Sequence, residues 1–251
     1  MLRVFHPGIP KTGSVIHLDR EEAHHLFHVL RARKDEKIIV LNGYGYYAEG
    51  HILNGTTQEV IIDSVHFAES SKITLCSALL KNKAMDFLIR EATAIGVAGI
   101  IPLYTQNSEV KIQNVSEKQM HWHRIAREAC KQSGNPYLPT IEIPRKLKDF
   151  QFSVPTFVAA LRKDAKNIFH YQSEVKNNPV AILIGPEGDF SEQEYQYFIQ
   201  NNFHFIYLGK HILRAETAAL YLLSVIDHIC LRTRAPKSPP GDPSPGLGFP
   251  A

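Results

Sequence analysis

The sequence predicts an α/β protein in two parts: a mostly parallel sheet with helices on both faces, preceded by a small strand-rich unit. Three observations predict it. From Ile73 onward, short apolar runs suited to buried strands alternate with segments of helical period. Before that point, apolar runs are joined by Asn-Gly turns, the chemistry of hairpins. The 251 residues, 44% hydrophobic and 21% charged, suffice for a core of that size and exclude global disorder.

The first unit is expected over residues 1–70. Asp19 can cap a helix, with Glu22 at capping-box spacing, and Ala23, Leu26, Phe27 and Leu30 form its apolar stripe. Asn42-Gly43 supplies the positive φ of a tight turn between Ile38 to Leu41 and Tyr46 to Leu53. A second turn, Asn54-Gly55, leads to Val60-Ile61-Ile62 and Val65, and Asp63 to Lys72 predicts the linker. The second unit is expected over residues 71–234. It opens with a strand at Ile73 to Leu80 and a helix at Ala84 to Ile95 that Gly96 ends. A strand at Val97 to Leu103 and a long helix at Ser116 to Ser133, stopped by Gly134-Asn135-Pro136, follow. Strands are predicted at Thr156 to Leu161, Val180 to Ile184 and Phe205 to Leu208, and helices at Ser191 to Gln200 and Glu216 to Leu231. Residues 235–251 hold six prolines and three glycines, which predicts a disordered tail outside the fold.

Several classes are excluded. No apolar run approaches the roughly 20 residues of a membrane span, and the N-terminus lacks the apolar core of a secretory signal. Cys76, Cys130 and Cys230 are few and far apart, which points to a reducing, cytoplasmic setting and against structural zinc. His24 and His28 share a helix face, but no further ligand completes a metal set. A net charge of +3 is compatible with RNA and proves nothing.

Two stretches carry chemistry. In the first, Val180 to Ile184 runs into Gly185-Pro186-Glu187-Gly188-Asp189-Phe190 and then a Ser191/Glu194 capping box. Ligands of open α/β sheets sit beyond the carboxyl ends of strands, and glycine lets them approach bare backbone. A strand-to-helix turn that merely needs glycine reads equally well. In the second, Leu208-Gly209-Lys210-His211-Ile212-Leu213-Arg214 leads into a helix starting near Glu216. Alone, Glu216 reads as a helix-start acid and Arg214 as a solvated cation. Arg31, Arg33 and Lys34, joined by Arg3 and Arg20, form a basic set suited to phosphates, although taken alone an ordinary solvated helix end is the readier reading.

Together, Ile184 to Glu194 and Leu208 to Ala218 resemble the paired signature of SPOUT-class methyltransferases, and more closely the bacterial 16S ribosomal RNA uracil-N3 methyltransferase family. Arg3, Phe5, His25, Val29 to Arg31, Asn42-Gly43, Lys81, Met85, Gly96-Val97, Pro102 and Ala129 to Gly134 align in order. The resemblance implies a trefoil-knotted catalytic domain behind a PUA-like RNA-binding β-barrel. It implies S-adenosylmethionine bound by Leu161, Ile184, Gly185, Pro186, Glu187, Gly188, Leu208, Gly209, Ile212, Leu213 and Thr217. It also implies a homodimer through the knot region and 16S RNA of the small ribosomal subunit as substrate. Arg214 and Glu216 are the candidate catalytic residues, and Arg3, Arg20, Arg31, Arg33 and Lys34 the candidate RNA contacts. The sequence departs from the family at Asp189, where glycine is usual, at Asn107 and Asn135, where arginine is common, and at Lys131, where glutamate is. The competing expectations are a non-catalytic RNA-binding or assembly factor that kept the fold, and a SPOUT enzyme with another RNA target.

Overall fold

A computed structural model describes residues 1–8, 10–54 and 58–231. The predicted tail and Gly55 of the second turn lie outside these residues. The N-terminal unit is a five-stranded sheet of β1 (Leu2–Phe5), β2 (Val15–His17), β3 (Lys37–Leu41), β4 (Tyr46–Asn54) and β5 (Glu59–Phe67), in the order β1-β3-β4-β5-β2. β1 lies parallel to β3, and the other pairs are antiparallel. Alternate residues, among them Ile38, Val40, Val60 and Ile62, point into one core with Val4, Ile16, Leu18 and Leu26. Asn42 Oδ1 accepts from the backbone N–H of Tyr44 and Tyr46, which shapes the β3–β4 turn.

Three local expectations need correction. Asp19 caps α1 (Arg20–His24) by accepting from Glu22 N–H, but the Glu22 side chain does not return the bond; it is buried beneath the second unit. Beyond α1 the chain widens into a π-helical turn, His25–Val29, which swings Leu30 out to 44% exposure instead of onto the apolar stripe. Half of the predicted linker is strand, because β5 continues to Phe67; only Ala68 to Lys72 connects the units.

The second unit is an entirely parallel sheet. Its strands are β6 (Ile73–Ala78), β7 (Gly99–Tyr104), β8 (Thr140–Ile141), β9 (Arg145–Lys146), β10 (Thr156–Ala159), β11 (Val180–Ile184) and β12 (His204–Ile206). The order is β12-β10-β11-β6-β7-β8, with β9 also pairing with β7. The helices are α2 (Asn82–Ile95), α3 (Val115–Ser133), α4 (Gln172–Asn177), α5 (Glu192–Gln200) and α6 (Ala215–Leu231). Both faces are covered. Leu75, Ile100, Phe157, Ile182 and Ile206 pack with residues of α2, α3 and α6, while Cys76, Leu103, Val158, Leu183 and Phe205 pack with Tyr195 and Phe198 of α5. This is why the strand sequences read as continuous apolar runs. α4 and the two-residue β8 and β9 are too short to leave a period in the sequence.

The units are fused along α3 and the segment after it. The Arg3 guanidinium donates to the carbonyls of Lys131 and Gln132 at 2.9 and 2.8 Å, at the negative end of α3. Glu22 meets Arg127 at 2.9 Å and Lys131 at 3.4 Å. Tyr137 reaches across to donate its hydroxyl to the Ala68 carbonyl. Gly45 makes room for it, since a Cβ there would lie 2.3 Å from the Tyr137 oxygen.

Candidate active site

Three parallel strands end side by side, and the chain beyond each turns away from the sheet. Ala160 and Leu161 follow β10, Gly185 to Asp189 follow β11, and Leu208 and Gly209 follow β12. Sequence periodicity assigns some of these residues to strands, but β10 stops at Ala159 and β12 at Ile206. Between these ends and the start of α6 lies a cavity of about 300 Å³. It occupies the place where doubly wound sheets hold their ligands.

Leu161, Ile184, Gly185, Pro186, Glu187, Leu208, Gly209, Ile212, Leu213 and Arg214 line this cavity. Gly188, Glu216 and Thr217 are not part of its lining. Thr217 is the third residue of α6 and is exposed. The sequence alone does not single out Ala159, Ala160, Ala215 and Ala218, small residues that shape the wall without chemistry of their own, and His211 lines the wall as well.

The lining mixes apolar side chains with charged ones. Ile212 and Leu161 are 80% and 63% exposed, an unusual state for two aliphatic side chains facing one concavity. Gly209 has φ +143°, a conformation that L side chains rarely adopt. The first turn is held from outside. Asn107 Nδ2 donates to the carbonyls of Gly188 and Asp189 at 3.2 and 2.9 Å. Glu194 closes the capping box with Ser191 and also accepts from Gln106 N–H at 2.9 Å. Asp189 stands at φ +59°, which explains in physical terms why glycine suits this position. Its Oδ1 accepts from Phe190 N–H at 2.7 Å and from the Tyr195 hydroxyl at 2.9 Å. Burial, then the bond to Asp189, pushes the Tyr195 phenol far up, so it stays a donor at neutral pH.

The basic candidates lie on the first unit. Arg20, Arg31, Arg33 and Lys34 are exposed and form no side-chain ion pair among the described residues. Arg3 is engaged at the end of α3. Asn135, another departure from the family, donates to the Thr93 carbonyl, and Lys131 pairs with Glu22 and Glu128. Tyr46 packs on Phe67 and Tyr47 on His66, whereas Tyr44 is 74% exposed. His24 and His28 stack at 4.9 Å, and no metal-binding group of side chains occurs among the described residues.

A family model described as an RNA methyltransferase domain matches residues 68–227, and one described as an RNA methyltransferase PUA domain matches residues 18–63. Among curated relatives, "Ribosomal RNA small subunit methyltransferase E" of Mesomycoplasma hyopneumoniae is 33% identical over 79% of this chain and 89% of its own length. The protein of the same name from Bacillus subtilis is 26% identical over 83% and 88%. A Legionella pneumophila structure solved "in complex with the bound cofactor SAM" is 29% identical, with a TM-score of 0.79 over 90% of this chain and 97% of that one. A ribosomal RNA small subunit methyltransferase E from Neisseria gonorrhoeae shares the fold, with a TM-score of 0.80 at 23% identity over 91% and 98%.

Proposed function

The chain belongs to the RNA methyltransferase family, and on that premise we propose that it moves the methyl group of S-adenosylmethionine onto N3 of a uracil in 16S RNA of the small ribosomal subunit. That it is a ribosomal RNA methyltransferase using this cofactor follows from the family and the relatives. The atom and the RNA are the proposal's finer part. One observation carries it: two glycine-bearing turns meet at the carboxyl ends of β10, β11 and β12 around a cavity lined by apolar side chains together with Glu187, Asp189, His211 and Arg214.

The residues present fit the donor. Ile212, Leu161 and Leu213 offer apolar surface for a flat base, and the turns offer main-chain groups for its polar edge. Glu187 and Asp189 offer negative charge to a cation. When bound, the cofactor supplies an electrophilic methyl group. The chain's own part is to hold the uracil in line with it and to stabilise the negative charge that the base develops once its N3 proton leaves.

Arg214 suits the second task. It lines the cavity, is exposed, and has no side-chain partner among the described residues, so its guanidinium is available to uracil oxygens or a neighbouring phosphate. Glu216 stands outside the wall in the first turn of α6, so a base there would act through a water. The exposed cations of the first unit suit the RNA backbone. We assign the working form to a homodimer. Leu161, Tyr207, Ile212 and Tyr221 are exposed apolar side chains at or near this end of the molecule, which a second subunit and the cofactor would cover. Among the described residues no helix is long and apolar enough to cross a membrane, and a cytoplasmic setting suits the substrate.

Calorimetric titration with S-adenosylmethionine tests the site; no binding up to millimolar concentration would favour a non-catalytic factor. Mass spectrometry of ribosomal RNA from a strain lacking the gene tests the target. A uridine still methylated there removes the substrate assignment. Arg214→Ala is expected to leave cofactor binding within about twofold and cut methyl transfer at least about a hundredfold; wild-type activity would refute its role.

A further inference from the structure

Four ionisable residues line the cavity: Glu187, Asp189, His211 and Arg214. They differ in how they are held. Glu187, His211 and Arg214 are exposed and have no side-chain hydrogen bond or ion pair among the described residues. Asp189 is fixed at several points. Its carboxylate accepts from Phe190 N–H and the Tyr195 hydroxyl, and its carbonyl accepts from Asn107. Tyr195 is itself buried and closely packed. It is 7% exposed, packed against Phe190, Phe198 and Phe205, with the Arg162 guanidinium 5.2 Å from its ring centre. Arg162 in turn is clamped by both oxygens of Asp164 at 2.8 and 3.0 Å. The chain thus keeps a residue at φ +59°, at a cost glycine would avoid, and fixes the carboxylate of a residue that lines the cavity.

A fixed charge acts on a ligand without reorganising, so its effect survives where a mobile side chain would swing to solvent. Methyl transfer changes the charge of the bound molecule at one atom. The sulfonium loses its methyl as the carbon–sulfur pair returns to sulfur, and a neutral thioether remains, while the positive charge is balanced by the proton given up from the accepting nitrogen. The amino-acid and nucleoside ends are the same before and after.

From this we infer that Asp189 is a specificity-determining residue of the site, favouring the cationic methyl donor over its neutral thioether product. The inference rests on the cofactor reading given above. Its consequence is that product is held less tightly than donor, which speeds exchange after each transfer.

The test is calorimetric affinity for S-adenosylmethionine and for S-adenosylhomocysteine, with the full chain and two variants. Asp189→Asn keeps an oxygen acceptor for Phe190 and Tyr195 and removes the charge. Asp189→Gly removes the side chain at a φ that glycine adopts freely, so it folds even if the asparagine variant does not. The wild-type preference for the donor is expected to shrink in both variants by roughly five- to thirtyfold, the size expected for unit charges several ångströms apart in a partly hydrated cavity. Product affinity should change by no more than about twofold. Parallel weakening of both ligands, or an unchanged ratio, would reduce Asp189 to a structural anchor and overturn the inference while leaving the cofactor site intact. A wild-type chain that binds neither ligand would overturn the cofactor reading, and the inference with it.

Discussion

At the scale of single residues, backbone conformation and burial set what each group can do. Gly209 sits at φ +143° with open space around the position of a Cβ, so the obstacle to a side chain there is torsional, not steric. Gly209→Ala should therefore cost about 1–3 kcal/mol in forming the second turn. The expected readout is a loss of S-adenosylmethionine affinity of roughly tenfold or more, measured by titration, with α6 unchanged by circular dichroism. Full affinity would show that this turn does not shape the donor's site. The cysteines give a second check. Burial pushes the Cys130 thiol up to about 12, and burial followed by the nearby Glu142 carboxylate pushes Cys76 up as well. Because the thiolate is the nucleophile, both should resist iodoacetamide at pH 8 in the native protein and react once it is unfolded. Rapid native labelling, seen by mass spectrometry, would contradict this burial.

At the scale of elements, local signals were readable and short or remote ones were not. The Ser191/Glu194 spacing marked the start of α5 because the capping box lies within four residues. Its physical role is larger than capping, since Glu194 also accepts from Gln106 and so ties α5 to the loop whose Asn107 holds the turn after β11. Ser191→Ala is expected to destabilise the protein by about 1 kcal/mol in urea unfolding. It should also weaken donor binding more than a surface helix mutation of equal cost; equal effects would show that the turn is stiff without its helix. Asn42-Gly43 and Val180 to Ile184 were legible for the same reason: a turn and a buried strand each announce themselves in a few residues. The π-helical turn at His25–Val29, α4, β8 and β9 left no trace, because a single turn or a two-residue ladder has no period to read. The roles of Glu22 and Asp189 were hidden as well. Their partners are Arg127, more than a hundred residues away, and a tyrosine whose orientation is set by the opposite face of the sheet.

At the scale of the molecule, charge is buried where the two units meet. Glu22 is 2% exposed and faces both Arg127 and Lys131. Glu22→Ala leaves two cations without their shared counter-charge. Since Arg127 keeps Asp19 and Lys131 keeps Glu128, the loss should fall at about 2–4 kcal/mol. Unfolding in denaturant should show it, and a widened distribution of overall dimensions in X-ray scattering should accompany it if the units part. An unchanged profile would assign the junction to Tyr137 and Arg3 instead. The overall α/β class was legible from the alternation of runs. The strand order was not, because nothing in Ile73 to Ala78 announces that Val180 to Ile184 will lie beside it. That pairing has a temporal consequence. A chain emerging from the ribosome presents its exposed candidate RNA contacts within the first thirty-four residues, but the hollow between β10, β11 and β12 is closed only by the residues after Ile206. On the function proposed above, translation halted before that point would leave the candidate RNA contacts in place with no hollow for a methyl donor, so the two parts of the site would be acquired in a fixed sequence.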